Sequence, residues 1–493
     1  MESFFLYSSD QVRQGERAAA KLANVEMYTL MERAGKATFD TLIRLYPNIQ
    51  NILVMCGNGN NGGDGYVIAR LAKESGLEVT LCHVGELAKI GGDAQTAAEH
   101  WRAAGGHVEH ISTSGAFKVG KEVDLIVDAL LGTGLKGEVR SHLANIIHTL
   151  NHHSAPIISV DVPSGLCADT GTLLGACICA TNTVTFIGRK TGLYTGQARG
   201  VVGKVHFDGL GVEREFSSNM SSKTHLLDFK SVQGLIPTRA RTSHKGNHGR
   251  LFTVGGQQGA GGAILLATEA ALRSGAGLVC VATHERHLTA LLTRIPESMY
   301  CDWNDVDQVK SRLDWASVIL IGPGLGTALQ EAEVFARVLK REVPKVFDAD
   351  GLNLLAQSPT IDHNRILTPH PGEAARLLSC TVPNIERNRY LAARSLSNKY
   401  GGVVVLKGAG TLIDDGDSTF VCSAGNPGMA VGGMGDVLSG VIASLLVQGL
   451  NARDAALLGT MLHSSAADLC RDQDGELGLL ASDLFSNIRR LLN

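Results

Sequence analysis

Asn426-Pro-Gly-Met-Ala-Val-Gly-Gly-Met-Gly-Asp-Val-Leu-Ser-Gly440 is a glycine-rich loop that runs straight into an apolar segment. Glycine lets backbone N–H groups come close to an anion, and a helix N-terminus adds a partial positive charge. The loop therefore predicts an anion hole followed by a helix over 437–446. Asp436 falls in the first turn, where a carboxylate can act as base toward a hydroxyl being phosphorylated. An N-cap in a tight turn is the alternative reading of such an Asp.

Four more segments begin immediately after an apolar run: Gly322-Pro-Gly-Leu-Gly326, Asp348-Ala-Asp350, Thr368-Pro-His-Pro-Gly-Glu373 and Lys407-Gly-Ala-Gly-Thr411. In open parallel sheets ligands bind beyond the carboxyl ends of the strands, so five such loops at one edge point to catalysis. Apolar runs at 249–254, 277–281, 318–321, 346–348 and 403–406 alternate with helical stretches and predict an α/β unit. Glu373 reads either as a solvated helical residue or as one that orients Mg²⁺ through water.

The first half repeats the alternation, with strands expected at 51–55, 79–84, 125–127, 157–160 and 183–187 and crossover helices at 66–75 and 93–104. Gly57-Asn-Gly-Asn-Asn-Gly-Gly-Asp-Gly65 follows the first strand and precedes a helix expected near Tyr66. Its asparagines offer neutral oxygens suited to a monovalent cation, and its glycines offer N–H donors for pyrophosphate. Val127-Asp-Ala-Leu-Leu-Gly-Thr-Gly-Leu-Lys-Gly-Glu138 and Val160-Asp-Val-Pro-Ser-Gly165 would share that edge. Capping or Asx-turn roles are the alternative for Asp128 and Asp161.

Bulk properties bound the remaining choices. A length of 493 residues exceeds one ordinary core, and a polar stretch at 213–222 marks a boundary. The expected division is 1–215, a linker at 216–226, and 227–493. A net charge of −3 without Lys/Arg runs excludes a polyanion footprint, so no nucleic-acid or membrane partner is expected. The cysteines lack metal or disulfide spacing and read as reduced core thiols of a cytoplasmic protein. No internal repeat relates the halves.

Taken with Gly261-Gly-Ala-Ile-Leu-Leu-Ala267 and Ala271-Leu-Arg-Ser-Gly-Ala-Gly277, the C-terminal segments resemble the ribokinase-like superfamily over roughly 224–493. Within it they resemble the branch of ADP- or ATP-dependent NAD(P)H-hydrate dehydratases. The unbroken Thr-Pro-His-Pro-Gly-Glu and Asn-Pro-Gly-Met-Ala…Gly-Gly-Met-Gly-Asp strings distinguish that branch from sugar and vitamin kinases. The resemblance implies that Ala263, Gly324, His370 and Asp436 face a hydrated nicotinamide nucleotide. It assigns Lys407, Gly408, Ala409, Gly410, Thr411 and Gly435 to an adenine nucleotide.

With Leu30-Met-Glu-Arg-Ala-Gly35 and Gly192-Leu-Tyr-Thr-Gly196, the N-terminal loops look like the NAD(P)H-hydrate epimerase domain over about 6–212. That resemblance places K⁺ on Asn61, Asp128 and Ser164. It places substrate on Asn60, Asn61, Gly62, Gly63, Asp64, Gly132, Thr133, Gly134, Leu135, Lys136, Gly137, Glu138 and Asp161. Asp128 is the candidate base or acid and Lys136 its electrostatic partner.

The implied fold is a Rossmann-like doubly wound domain followed by a ribokinase-like α/β domain. The implied activity is repair of NADH or NADPH hydrated beside the ring nitrogen, with ADP as co-substrate, Mg²⁺ at the second site, K⁺ at the first, and a homo-oligomeric assembly. The rival reading is a small-molecule kinase of the same superfamily carrying an N-terminal nucleotide-binding module.

Overall fold

In the computed structural model, residues 4–111 and 117–493 are described. The chain divides into two units, Phe5–Lys223 and Thr224–Asn493, the latter with Phe4. In the first unit β1 (Phe4–Tyr7) pairs in parallel with a short β8 (Arg189–Lys190), Leu6 opposite Arg189 and Tyr7 opposite Lys190. The main sheet is built from β2 (Asn51–Cys56), β3 (Glu78–Val84), β4 (Glu109–Ile111), β5 (Leu125–Ala129), β6 (Ile157–Val160), β7 (Asn182–Phe186) and β9 (Lys204–Asp208). Its order is β4-β3-β2-β5-β6-β7-β9, and every pairing is parallel.

Alternate residues of β2 enter different cores. Ile52, Val54 and Cys56 join one buried cluster, whereas Leu53 and Met55 join another. Both faces are therefore covered, which is why the strand reads as an unbroken apolar run. The chain leaves β2 toward β3 and β4, then returns to place β5 on the other side of β2. That reversal opens a crevice above the C-terminal ends of β2 and β5.

The second unit repeats this plan with β10 (Thr224–Leu227), β11 (Arg250–Val254), β12 (Leu278–Thr283), β13 (Met299–Asp302), β14 (Val318–Ile321), β15 (Lys345–Phe347), β16 (Arg365–Leu367), β17 (Val403–Leu406), β18 (Leu412–Asp414) and β19 (Thr419–Cys422). The order β13-β12-β11-β14-β15-β16-β17 is parallel throughout, with a reversal between β11 and β14. An antiparallel β17-β18-β19 run continues the sheet to β10, which pairs in parallel with β19. The helix Met434–Val447 is buried at every position from Val437 onward, as expected of a helix that is apolar all round and enclosed by core.

Two expectations need refinement. The two units divide inside the segment expected as a linker, between Lys223 and Thr224, but much of it is ordered: Glu213–Asn219 is a helix that buries Phe216, and β10 begins at Thr224. One large aromatic anchors a helix whose other residues are polar, so periodicity is invisible there. The first crossover helix starts at Asn60, not near Tyr66, so Asn60 to Gly65 form its opening turns. Tight packing explains the glycines, since a Cβ at Gly62 would lie 1.9 Å from the Gly57 carbonyl oxygen. Finally, the antiparallel β18 and β19 and several very short strands carry too few residues to show a pattern.

Candidate active sites

In the second unit the loops after β14, β15, β16 and β17 stand side by side at the carboxyl edge of the sheet. Close approach demands Gly322 (φ 129°), where a Cβ would lie 1.7 Å from the Asp348 carbonyl oxygen. Next to Asp348, Ala349 adopts φ 46°, a left-handed conformation that non-glycine residues hold only when the surroundings enforce it. The Asp348 side chain is buried, accepts from Thr368 Oγ1 at 2.8 Å, and pairs with Lys407 Nζ at 2.8 Å.

Lys407 sits among carboxylates. Glu373 Oε2 lies 3.9 Å from its Nζ, and a Cβ at Gly435 would be 3.0 Å from the same nitrogen. Burial alone would lower the Lys407 ammonium, but Asp348 and Glu373 outweigh it and hold the group above its ordinary value. Asp436 lies in the first helical turn after Gly433 (φ 93°). Burial, then repulsion from Asp348, pushes its carboxyl up to about 7. Glu373 is likewise pushed up to about 7 by burial, so the expectation of a solvated Glu373 is overturned.

Glu373 also accepts from the His370 backbone N–H at 2.8 Å, and His370 Nδ1 accepts from Gly372 N–H at 2.9 Å. His370 thus caps the helix Pro371–Leu378 while its ring remains half exposed toward the Glu373 side. Ala263 lies in the first turn of the helix Gly261–Arg273. Among the described residues no three His, Cys, Asp or Glu side chains cluster as a preformed metal cage. Mg²⁺ normally uses one or two carboxylates with waters and phosphate oxygens, and Asp348 with Glu373 fits that requirement.

Several contributors escaped sequence reading. Arg389, almost fully buried, donates to the carbonyls of Leu406 and Lys407 at 3.2 and 3.0 Å, directly under the expected nucleotide loop. His463 on the helix Ala452–Asp474 is buried against the Met434 backbone; burial lowers it to about 4 and keeps it neutral. Both lie in ordinary helical stretches, so only coordinates reveal them. Arg389→Met should raise KM for the adenine nucleotide about tenfold with kcat little changed, in line with losing a charged hydrogen bond of roughly 1.5–3 kcal/mol. Steady-state kinetics with varied nucleotide would show it.

In the first unit a cavity of about 810 Å³ opens above β2 and β5. Asn60, Asn61, Asp64, Gly132, Thr133, Gly134, Leu135, Lys136, Glu138 and Asp161 line it. Gly62 and Gly63 face the packed interior instead, the latter against Met31, and Gly137 lies outside the lining. Asp128 is fully buried and saturated: it accepts from Ser164 Oγ (2.5 Å), Ser159 Oγ (2.7 Å), Ser164 N–H (2.9 Å) and Leu130 N–H (3.3 Å). Burial raises its carboxyl, and these bonds offset part of the rise. Asn61 Nδ2 and Ser164 Oγ both reach the Leu131 carbonyl, at 3.1 and 3.2 Å. Asn61 and Ser164 thus meet at the Leu131 carbonyl, and Ser164 ties that turn to Asp128.

Lys136 does not meet Asp128. It stands exposed on the cavity rim. The buried ammonium is that of Lys190, which is ion-paired with Asp161 and also donates to the Phe186 carbonyl at 2.9 Å. Asp161 adopts φ 63°, a strained conformation characteristic of functional positions. Glu16 and Asp64 line the same cavity, and burial raises both carboxyls, Asp64 well above its ordinary value. Lys190 follows β7 at a strand end, the signal that could have located it.

The pattern described as NAD(P)H-hydrate dehydratase matches residues 251–490, and that of the YjeF-related protein N-terminus matches residues 27–192. The chain is 48% identical over 487 residues to the bifunctional NAD(P)H-hydrate repair enzyme Nnr of Vibrio cholerae serotype O1, covering 99% of this chain and 98% of that one. It is 47% identical over 495 residues to the protein of the same name from Escherichia coli, covering 99% and 94%. A crystal structure of the ADP/ATP-dependent NAD(P)H-hydrate dehydratase from Bacillus subtilis, obtained with ATP/Mg²⁺, aligns at TM-score 0.50 and 31% identity over 53% of this chain and 95% of that one.

Proposed function

We propose, from the premise that this chain belongs to the bifunctional NAD(P)H-hydrate repair enzymes, a division of labour between its two sites. The first unit interconverts the R and S forms of hydrated NADH and NADPH. The second returns the S form to NADH or NADPH at the expense of ADP. The observation that carries this reading is the Asp348–Lys407–Glu373–Asp436 cluster at the start of a glycine-led helix.

Hydroxide is a poor leaving group and phosphate a good one. Asp436 takes the proton of the substrate hydroxyl as its oxygen attacks the terminal phosphorus of ADP, releasing AMP. The ring nitrogen lone pair then expels phosphate, and loss of a proton from the neighbouring carbon restores the dihydropyridine. Lys407 and the amides of Gly433 to Gly435 hold negative charge in place as it develops. Asp348 and Glu373 are the residues to hold Mg²⁺, which supplies charge neutralisation when bound.

In the first unit the saturated Asp128 suits a fixed anion better than a mobile base. With Asn61 and Ser164 it would hold K⁺, which braces the turn when bound. Asp161 and Lys190, a paired carboxylate and ammonium that line the cavity, are the groups to move protons off the substrate hydroxyl and onto the ring nitrogen as the hemiaminal opens and recloses. The ten free cysteines, mostly buried, accord with a cytoplasmic place of action. No helix among the described residues is long and apolar enough to cross a membrane.

Incubating racemic hydrate with ADP and Mg²⁺ in K⁺ buffer should restore dihydronicotinamide absorbance completely. Replacing K⁺ by tetramethylammonium, or Asp128 by Asn, should leave a fast S phase and slow R consumption by roughly a hundredfold, the range of a lost metal ligand or its support. Equal R and S rates in Asp128→Asn would remove the epimerase assignment. Accumulation of a stable phosphorylated product would favour the kinase reading instead.

A further inference from the structure

The helices Gly261–Arg273 and Met434–Val447 begin at the dehydratase site, with Ala263 and Asp436 in their first turns. Their other ends, about 20 Å away at 1.5 Å per residue, meet at a second cavity of about 480 Å³. Arg239, Arg273, Ser274, Gly275, Gln448 and Arg489 line it, together with Asn493. The three arginines arrive from three separate segments: the approach to β11, the end of the first helix, and the helix Leu484–Leu491.

Helix C-termini ordinarily repel anions, but here the exposed carbonyls are already occupied. Gln448 Nε2 donates to the Ser274 carbonyl at 2.9 Å, and Arg239 donates to the Gly275 carbonyl. Gly275 (φ 106°) permits this convergence, since a Cβ would sit 2.7 Å from Gln448 Oε1 and 2.8 Å from Arg239 Nη2. Among the described residues Arg273 pairs with Glu269 alone and shares it with Arg294, at 3.5 Å against 2.7 Å. The Ser274 side chain is 3% exposed and its hydroxyl has no partner. A buried hydroxyl without a hydrogen-bond partner thus lies on a residue that lines the same cavity as three guanidinium groups, and guanidinium forks match phosphate oxygens.

We propose that this cavity binds a small phosphate-bearing anion through Arg239, Arg273, Arg489 and Ser274, and that occupancy is felt at the dehydratase site through the two helices that join them. The helices pack without slack: a Cβ at Gly440 would lie 2.1 Å from the Ala267 carbonyl oxygen. Close-packed interiors of low compressibility transmit strain. The binding claim stands on the cavity alone, whereas the coupling rests on the dehydratase reading.

The test is calorimetric titration of the full chain with inorganic pyrophosphate while ADP saturates the nucleotide site. Wild type should take up pyrophosphate, and Arg239→Gln/Arg489→Gln should bind it at least tenfold more weakly with both basal activities intact. Ser274→Ala, which removes the orphan hydroxyl, should weaken binding about threefold. No uptake by wild type, or equal uptake by the double variant, overturns the site. In a parallel assay pyrophosphate should change KM for ADP in wild type only; the same change in the double variant overturns the coupling while leaving the dehydratase reading in place.

Discussion

Asp436→Asn is expected to abolish recovery of dihydronicotinamide from the S-hydrate, lowering kcat by a factor on the order of 10³, as when a positioned general base is removed. Exchange between R and S forms should persist, because that chemistry belongs to the first unit. Persistent dehydration in this variant would displace Asp436 from the chemical centre. In the wild type, the base must be ionised to work. With its carboxyl pushed up to about 7 by burial and Asp348, nucleotide-free Asp436 is largely protonated at pH 6, so kcat/KM should fall as pH drops below about 7.

The same displacement sets a stability trend of opposite sense. The folded-state value lies above the ordinary 3.8, so the folded chain binds more protons than the unfolded chain between those two values. Stability from this group is complete below about 3.8, falls as pH rises from there, and is fully lost once pH has passed about 7. Asn cannot ionise, so Asp436→Asn should unfold a few degrees higher than wild type at pH 8, from about 1–2 kcal/mol of relieved desolvation. Thermal scans should show no difference below about pH 3.8, a difference already present at pH 6, and the full difference at pH 8. A lower melting temperature at pH 8 would mean that the carboxylate stabilises the fold.

The second large effect is expected from Lys190→Met. Lys190 is 2% exposed and its partner Asp161 17% exposed. Removing the ammonium leaves a mostly buried carboxylate uncompensated, which costs about 3–5 kcal/mol, and removes the proton donor proposed for epimerisation. Both stability and R/S exchange should collapse. Adding Asp161→Asn should recover much of the stability, since the unpaired charge is gone, without recovering exchange. Recovery of exchange in the double variant would show that Lys190 and Asp161 serve only the fold.

The parts of this design that were legible in sequence are those with local signatures. The loop before Asp436 announces itself by glycine spacing, and Asn60 to Asp64 by a rare string at a strand end. What sequence concealed depends on long-range placement. Asp128 stood at a strand end like Asp161, and only the bonds from Ser159 and Ser164 show that it is saturated. Lys136 shares a glycine-rich loop with substrate-facing residues, yet it stands exposed on the rim. Phe216 gives its helix a single anchor, too little to create periodicity. The shared switch-point plan of the two units is equally hidden, because topology leaves no residue-level repeat.

The pairing of β1 with β8 sets the order in which the first site can be finished. Tyr7 leaves the ribosome early, but its partner Lys190 emerges only when most of the unit has been made. Until then the first strand waits with an open edge, the kind of edge that recruits other chains. Phe4 and Phe5, both about half exposed in the finished fold, lie on that waiting strand. Tyr7 and Lys190 lie far apart in sequence, so this pairing closes a long loop and belongs to the slow, non-local contacts of the fold.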